Sequence, residues 1–304
     1  MTNSTRRRRL RGTTTFTALL IAPILALAAP NTFNTALPVA QGEFIWREQA
    51  VLRERSSGGP GDRDVSVQAL VSVLGYGINS RLAVFGAVPH FFNRELDVTT
   101  PMGRVNRSTD GFGDATVFAR YTAYKRDFTG GTFRIAPVAG ITMPTGDDND
   151  RDRFGELPRP LQTGDGGWDG FVGVVATYQT LQYELDTQVV YRENGRHDGF
   201  AAGDETRFDA SIQYRVWPRK FKSGTPGFVY ALLESNLVHR DRDDVASGTD
   251  PNSGGTQWLL APGLQYVGRR WIFEGTVQLP VSTNPHGDAL EDDKIVRVGF
   301  RRNF

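Results

Sequence analysis

The chain has 304 residues, with 35 basic and 34 acidic side chains and no cysteine. That length suits one large β domain or two small ones, and the balanced charge gives no reason to expect a nucleic-acid partner. The lack of cysteine excludes a disulfide framework and a thiolate metal site.

Arg6, Arg7, Arg8, Arg9 and Arg11 precede an apolar run over 16–29 that is interrupted by Thr17 and Pro23. The run closes on Ala26-Leu27-Ala28-Ala29-Pro30. A basic start, a short apolar middle and an A-x-A end predict a secretory signal peptide over residues 1–28, cut after Ala28. The run is too short to span a bilayer as a helix, and no later segment approaches the length of apolar sequence that a membrane helix needs. The first forty positions contain no acid, so the remainder is net acidic. Residues 29–42, rich in Pro, Asn and Thr, read as a periplasmic lead, and 43–304 as the folded domain.

In chain order, β-like runs fall at 43–53, 64–75, 81–92, 113–124, 132–143, 168–179, 181–192, 206–216, 227–239, 256–267, 270–281 and 294–304. Each is close to the roughly nine to eleven residues that a tilted membrane strand needs. The first alternates poorly. In the second, Val65, Val67, Ala69, Val71 and Val73 alternate with Ser66, Gln68 and Ser72. The fourth sets Ala115, Val117, Ala119 and Tyr121 against Asp114, Thr116 and Arg120. The seventh and eighth are cleaner: Tyr183, Leu185 and Val189 oppose Glu184, Asp186 and Gln188, then Phe208, Ile212 and Tyr214 oppose Arg207, Asp209 and Arg215. In the eleventh, Trp271, Phe273, Val277 and Leu279 oppose Glu274, Thr276 and Gln278.

Successive side chains of a strand point to opposite faces, so each ribbon has an apolar and a polar side. Alternation alone does not say whether the apolar side meets a soluble core or lipid. The connections decide it. Shorter links at 75–80, 125–131, 180, 218–226 and 268–269 alternate with mostly longer ones at 54–63, 93–112, 144–167, 193–205, 240–255 and 282–293. Short turns on one side and long loops on the other are the rhythm of an outer-membrane barrel. The last strand carries Val296, Val298, Phe300, Arg302 and Phe304 on one face. A terminal aromatic of this kind resembles the signal read by the barrel-assembly machinery. The sequence therefore predicts an all-β chain: a transmembrane up-and-down antiparallel β-barrel of about 12 strands in the outer membrane. The expected partners are outer-membrane lipid and lipopolysaccharide, the barrel-assembly machinery through Phe304, and a small-molecule solute.

Tyr76-Gly77-Ile78, Gly111-Phe112-Gly113-Asp114, Met143-Pro144-Thr145-Gly146-Asp147, Gln162-Thr163-Gly164-Asp165-Gly166-Gly167-Trp168-Asp169 and Gln213-Tyr214-Arg215 form an ordered set of motifs. Together they resemble a family of outer-membrane transporters named for the meta-pathway of phenol degradation. The resemblance runs from about residue 43 to the end. It implies a β-barrel and the passage of small, aromatic or hydrophobic molecules.

The expected lumen carries both signs of charge: Asp114, Arg120, Glu184, Asp186, Arg207, Asp209, Arg215, Glu234 and Glu274, with Arg134 and Arg297. These side chains either line a polar path or pair across neighbouring strands and fill the barrel. Phe85, Phe118 and Tyr124 are also expected to point inward. A regular hairpin sets Glu184 opposite Arg215 and Asp186 opposite Gln213, but it brings Arg192 to Arg207, so a register shifted by two is the alternative. In the third long loop, Phe154, Leu157, Leu161 and Trp168 are candidates for an apolar constriction.

The run Asp147-Asp148-Asn149-Asp150-Arg151-Asp152 invites a Ca²⁺ reading, but Arg153 and Arg159 fall where an EF-hand needs Gly and Glu. No nucleotide loop is expected at 164–167, because no strand leads through it into a helix. Ser235 and His239 share a strand face, yet four residues apart is ~13 Å, too far for a nucleophile and its base. The sequence thus predicts no catalytic site, no metal and no cofactor. The expected function is a narrow passive channel, gated or lined by the third loop. The alternative is a closed structural or adhesive barrel without transport.

Overall fold

A computed structural model describes residues 28–58, 62–220 and 224–304. Residues 1–27 of the expected signal peptide (1–28) lie outside the described residues. The strands are β1 (Phe44–Ser57), β2 (Arg63–Gly77), β3 (Leu82–Thr100), β4 in three pieces (Gly103–Phe112, Ala115–Tyr121 and Tyr124–Phe128) and β5 (Gly131–Met143). They continue as β6 (Asp169–Thr180), β7 (Tyr183–Glu193), β8 (Glu205–Trp217), β9 (Gly227–Arg240), β10 (Gly255–Gly268), β11 (Trp271–Pro285) and β12 (Glu291–Asn303).

Each strand pairs antiparallel with its sequence neighbours, and β12 returns to β1 from Ile45↔Asn303 to Ser56↔Glu291. The sheet is closed, with 12 strands around the ring. Closure is what a strand fold in lipid requires, because an open edge would leave backbone N–H and C=O groups without partners. Only one 3₁₀ turn, Arg159–Leu161, interrupts the β structure among the described residues.

The outer wall is apolar. Leu74, Val117, Ile141, Val172, Leu233, Leu264, Phe273 and Val298 are among its exposed side chains. Aromatic rings collect at the short-turn end. Phe44 packs on Tyr76 at 4.7 Å and stacks on Phe304 at 5.7 Å, joining the first strand to the last residue across the closing seam. Trp46, Phe300, Trp271 and Phe273 continue the belt. Phe112, Trp168, Tyr191 and Trp258 are exposed toward the long-loop end. Amphipathic rings at both interfaces are the girdles of a membrane barrel.

Several sequence expectations change. Residues 93–112, read as a loop, are mostly strand: β3 and the first piece of β4 form a hairpin that turns at Pro101 and Met102 and rises past the barrel rim. Cross-strand pairs hold it, with Arg104 contacting Asp97 at 2.7 Å and Asp64 at 2.6 Å. Tyr124 points outward, not inward. A one-residue slip at Thr122 and Ala123 reverses the alternation, so Arg120 pairs with Val138 but Tyr124 pairs with Ile135. The β7–β8 register is the one shifted by two: Glu184↔Gln213, Asp186↔Ser211 and Arg192↔Glu205. The shift replaces an Arg–Arg juxtaposition with an Arg–Glu one.

The largest reversal is in β2. Val65, Val67, Ala69, Val71 and Val73 lie opposite Arg55, Arg53, Val51, Gln49 and Arg47, and so face the lumen. Leu70, Leu74 and Tyr76 face lipid instead. The inward face of this strand is apolar throughout, while Ser72, bonded to Glu48, lies on the outward face and Ser66 and Gln68 sit toward the long-loop end, so its polar residues did not mark the lumen.

Leu233 lies near the middle of β9 on the lipid side, next to lumen-facing Glu234. Leu233→Arg should destabilise the barrel by ~2–4 kcal/mol, the cost of a cation at bilayer midplane. Urea unfolding in liposomes measures it, with the unheated gel shift reporting barrel closure.

Candidate functional site

The interior is built around a segment that precedes the first strand. Residues 29–41 of the expected periplasmic lead (29–42), with Ala28, the last residue of the expected signal peptide, run inside the barrel. Ala28 packs beside Val267 and Ile272 next to the short turn between β10 and β11. The chain then arches into the lumen and descends to the short-turn end, where Gln41 bridges to Gly77 and the Gly42 amide donates to the Gly77 carbonyl at 2.8 Å. Gly77 is required here: a Cβ would lie 2.1 Å from the Ala40 carbonyl oxygen. Asn31 and Ala36 are almost wholly buried.

This strap has no strand partner over most of its length, so its backbone must find other acceptors and donors. The barrel's polar side chains supply them. Glu234 accepts the Asn31 amide at 2.7 Å, the Thr32 amide at 3.0 Å and the Thr32 hydroxyl. Gln188 accepts from the Asn34 amide, and Thr177 from the Ala36 amide at 2.8 Å. Arg47 and Gln49 donate to the Asn31 carbonyl, Arg301 to the Pro30 carbonyl at 2.7 Å, and Arg120 to the Leu37 carbonyl at 2.6 Å.

Of the expected lumen residues, Arg120, Glu184, Asp186, Asp209, Arg215, Glu234 and Glu274 are buried in the interior, and Arg207 joins them on the same face. They do not form one uniform set. Glu274 is held between Arg47 and Arg301, each at 2.7 Å, and Asp209 contacts Arg207 at 3.1 Å. Asp186 and Glu184 instead take neutral donors: Thr177 and Gln213 for the first, Gln179 for the second. Arg215 donates to Gln182 at 2.8 Å.

Cross-strand pairing therefore accounts for part of the charge, and the strap and amide side chains for the rest. Asp114 is not a lining residue. It sits at the break in β4, where its carboxylate accepts the Thr145 and Gly146 amides on one oxygen and the Asp165 amide on the other.

On the opposite wall Phe85, Phe118 and Arg134 point inward as expected, but sequence reasoning missed the other side chains there. From β2 to β6 the interior is mostly apolar: Val71 and Val73, Ala83, Phe85 and Phe91, Phe118, Ala136 and Val138, then Phe171 and Val175. Phe85 stacks on Phe118 at 4.7 Å, and Phe118 lies 6.1 Å from Phe171. Gly140 makes room for this row, since a Cβ there would collide with Phe118 and Phe171. Strands β7 to β12 with β1 form the polar wall, so the lumen is divided lengthwise into apolar and polar halves. Val39 of the strap joins Ala83 and Phe85 at the foot of the apolar half.

The third long loop folds back over the other mouth. Asp114 anchors its two limbs, and Gly146 and Gly164 cross so closely that a side chain on Gly164 would strike the Gly146 carbonyl. The two motif runs around residues 145 and 165 are thus the halves of one clasp. Leu157 and Leu161 are buried with Val65 and Leu96 on the β2–β3 side. Phe154 and Trp168, also expected at a constriction, are exposed, and Phe154 is covered by Arg153 instead.

The acidic run braces the loop: Asp152 receives two hydrogen bonds from Arg107, which hold its carboxyl below the usual range, and Asp150 accepts from Thr109. Ser235 accepts from Trp258 at 2.8 Å while His239 contacts Thr256, so the two do not form a nucleophile–base pair.

A closed barrel with lipid-facing girdles defines this chain as an outer-membrane β-barrel protein, embedded in that lipid. It belongs to the family described as "Putative MetA-pathway of phenol degradation", whose model matches residues 50–284. The fold is similar to the COG4313 outer membrane channel from Pseudomonas putida F1, with a TM-score of 0.66 at 14% identity, covering 91% of this chain and 100% of that one. The transport unit of the Escherichia coli autotransporter AIDA-I has a TM-score of 0.47 at 12% identity, covering 87% of this chain and 91% of that one. No curated protein matches.

Burial, with the charges of Asp169 and Asp114 nearby, raises the Asp165 carboxyl to about 6. A free Asp ionises near pH ~4, so the clasped loop binds the extra proton between those values. Clasp stability should therefore fall as pH rises from about 4 to about 6 and stay at its lower level above that. Asp165→Asn should flatten the profile. Hydrogen exchange at the Gly146 and Asp165 amides, corrected for intrinsic rate, measures both.

Proposed function

We propose that the protein is a passive outer-membrane channel for small molecules with apolar surface, closed at rest by its own strap. The observation that carries this reading is the divided lumen. The polar half takes most of the strap's hydrogen bonds; the apolar half from β2 to β6 meets the strap at Ala36 and Val39 and offers a lane for solute above it. By the rule that short turns face the periplasm, the strap occupies the periplasmic half and the clasped third loop the extracellular mouth.

The channel named in the structural neighbour fits this reading, as does the family's association with phenol degradation. An apolar lane removes the objection that a charged lumen cannot carry hydrophobic solutes: the charges and the lane lie on different walls. The strap, more than the third loop, is the gate, because it contacts both walls of the lumen.

Deleting residues 30–41 should raise single-channel conductance in planar bilayers well above that of the full chain. Deleting 147–165 should have the smaller effect. If neither the full chain nor the strap deletion passes ions or solute, the barrel is a closed structural or adhesive element.

A further inference from the structure

The apolar wall is not free of charge. Three guanidiniums lie over its rings: Arg94 is 4.5 Å from the Phe91 centroid, Arg120 is 4.9 Å from Phe85, and Arg192 is 5.4 Å from Phe171. Arg192 has a carboxylate, Asp169, at 3.5 Å. Among the described residues, neither Arg94 nor Arg120 has one within ion-pair distance. Arg94 donates to the Gln162 carbonyl of the clasped loop, and its buried Nε has no acceptor. Arg120, 7% exposed, donates to the Leu37 carbonyl of the strap.

A guanidinium taken out of water without a counter-charge costs several kcal/mol. On the opposite wall Arg47, Arg301 and Arg207 pair with carboxylates, while Arg297 donates to the amide oxygens of Gln278 and Gln49. Arg94 and Arg120 sit at the two ends of the aromatic row. Along β3 the order of pairings is Ala83 with Arg120, Phe85 with Phe118, then Phe91, Arg94 and Leu96.

Resting on the channel reading, we propose that the solute is a small monoanion with an aromatic or compact apolar body. Arg94 receives it at the extracellular end, its body passes along Phe91, Phe118 and Phe85, and Arg120 takes its anionic group at the strap. An anion adds to the guanidinium hydrogen bond a Coulomb attraction that a neutral carbonyl lacks. The solute therefore displaces the Leu37 carbonyl from Arg120 and releases the strap. The Leu37 carbonyl is a placeholder for the anion, and gating follows from occupancy.

The chain has no cysteine, so Leu37→Cys supplies a single thiol at a position 4% exposed, without enlarging the side chain. Maleimide labelling of this variant in detergent should be accelerated about tenfold or more by benzenesulfonate, the scale of one hydrogen bond to a charged group. Benzyltrimethylammonium, of similar size and opposite charge, should not accelerate it. Adding Arg120→Gln should raise the basal rate and abolish the benzenesulfonate response. Arg94→Gln should raise the benzenesulfonate concentration needed.

Equal responses to the two ions, no response to either, or a full response in Arg120→Gln would each overturn the proposal. None of those results touches the conductance of the strap deletion, on which the channel reading stands or falls.

Discussion

The constraint on which everything else here depends is that lipid offers no hydrogen bonds. A sheet in the bilayer has to close, so β12 must find β1, and the closed wall then has an inside. A 12-stranded ring lies between the sizes that side chains fill and the sizes that leave an open aqueous channel. This chain fills the difference with its own backbone. Fourteen residues of unpaired chain carry donors and acceptors that cannot be left bare, and that demand explains the polar wall. Glu234, Gln188, Thr177, Gln49 and Arg301 act as substitutes for the neighbouring strand that residues 28–41 lack.

The same demand explains why the polar and apolar residues of the lumen are segregated. Polar contacts to the strap come mainly from β6 to β12 and β1. The remaining arc has no backbone to satisfy and can be apolar without cost. The exception is Arg120, which reaches the strap from the apolar side and links the two halves.

The strand count, the sorting of connections by length, and the inward placement of Glu184, Asp186, Asp209, Glu234 and Glu274 were legible in the sequence, because those strands have one polar and one apolar face. Strand β2 was not, because its uniformly apolar face is the inward one and period alone does not choose between faces. Tyr124 was misplaced by a slip of one residue that no local composition announces. Residues 93–112 were read as one of the long connections; they are solvated and paired at once, as an exposed hairpin can be. The role of Asp114 depends on Thr145 and Asp165 arriving from distant positions, which only the folded loop brings about. The strap was invisible for a related reason. Its Pro, Asn and Thr residues suit an irregular segment, and nothing in them says that most of its hydrogen-bond partners lie more than a hundred residues away.

The strap leaves the barrel by the same mouth through which it came. Ala28 rests beside the turn between β10 and β11, and Gly42 beside the turn after β2, both at the short-turn end. Topologically it is a bight pushed into a tube, not a thread drawn through it. It can withdraw and return without any strand parting from its neighbour, so opening need not disturb the hydrogen-bonded wall that lipid enforces. The cycle is limited by the breaking and remaking of side-chain contacts, and the barrel can repeat it without ever being partly unfolded.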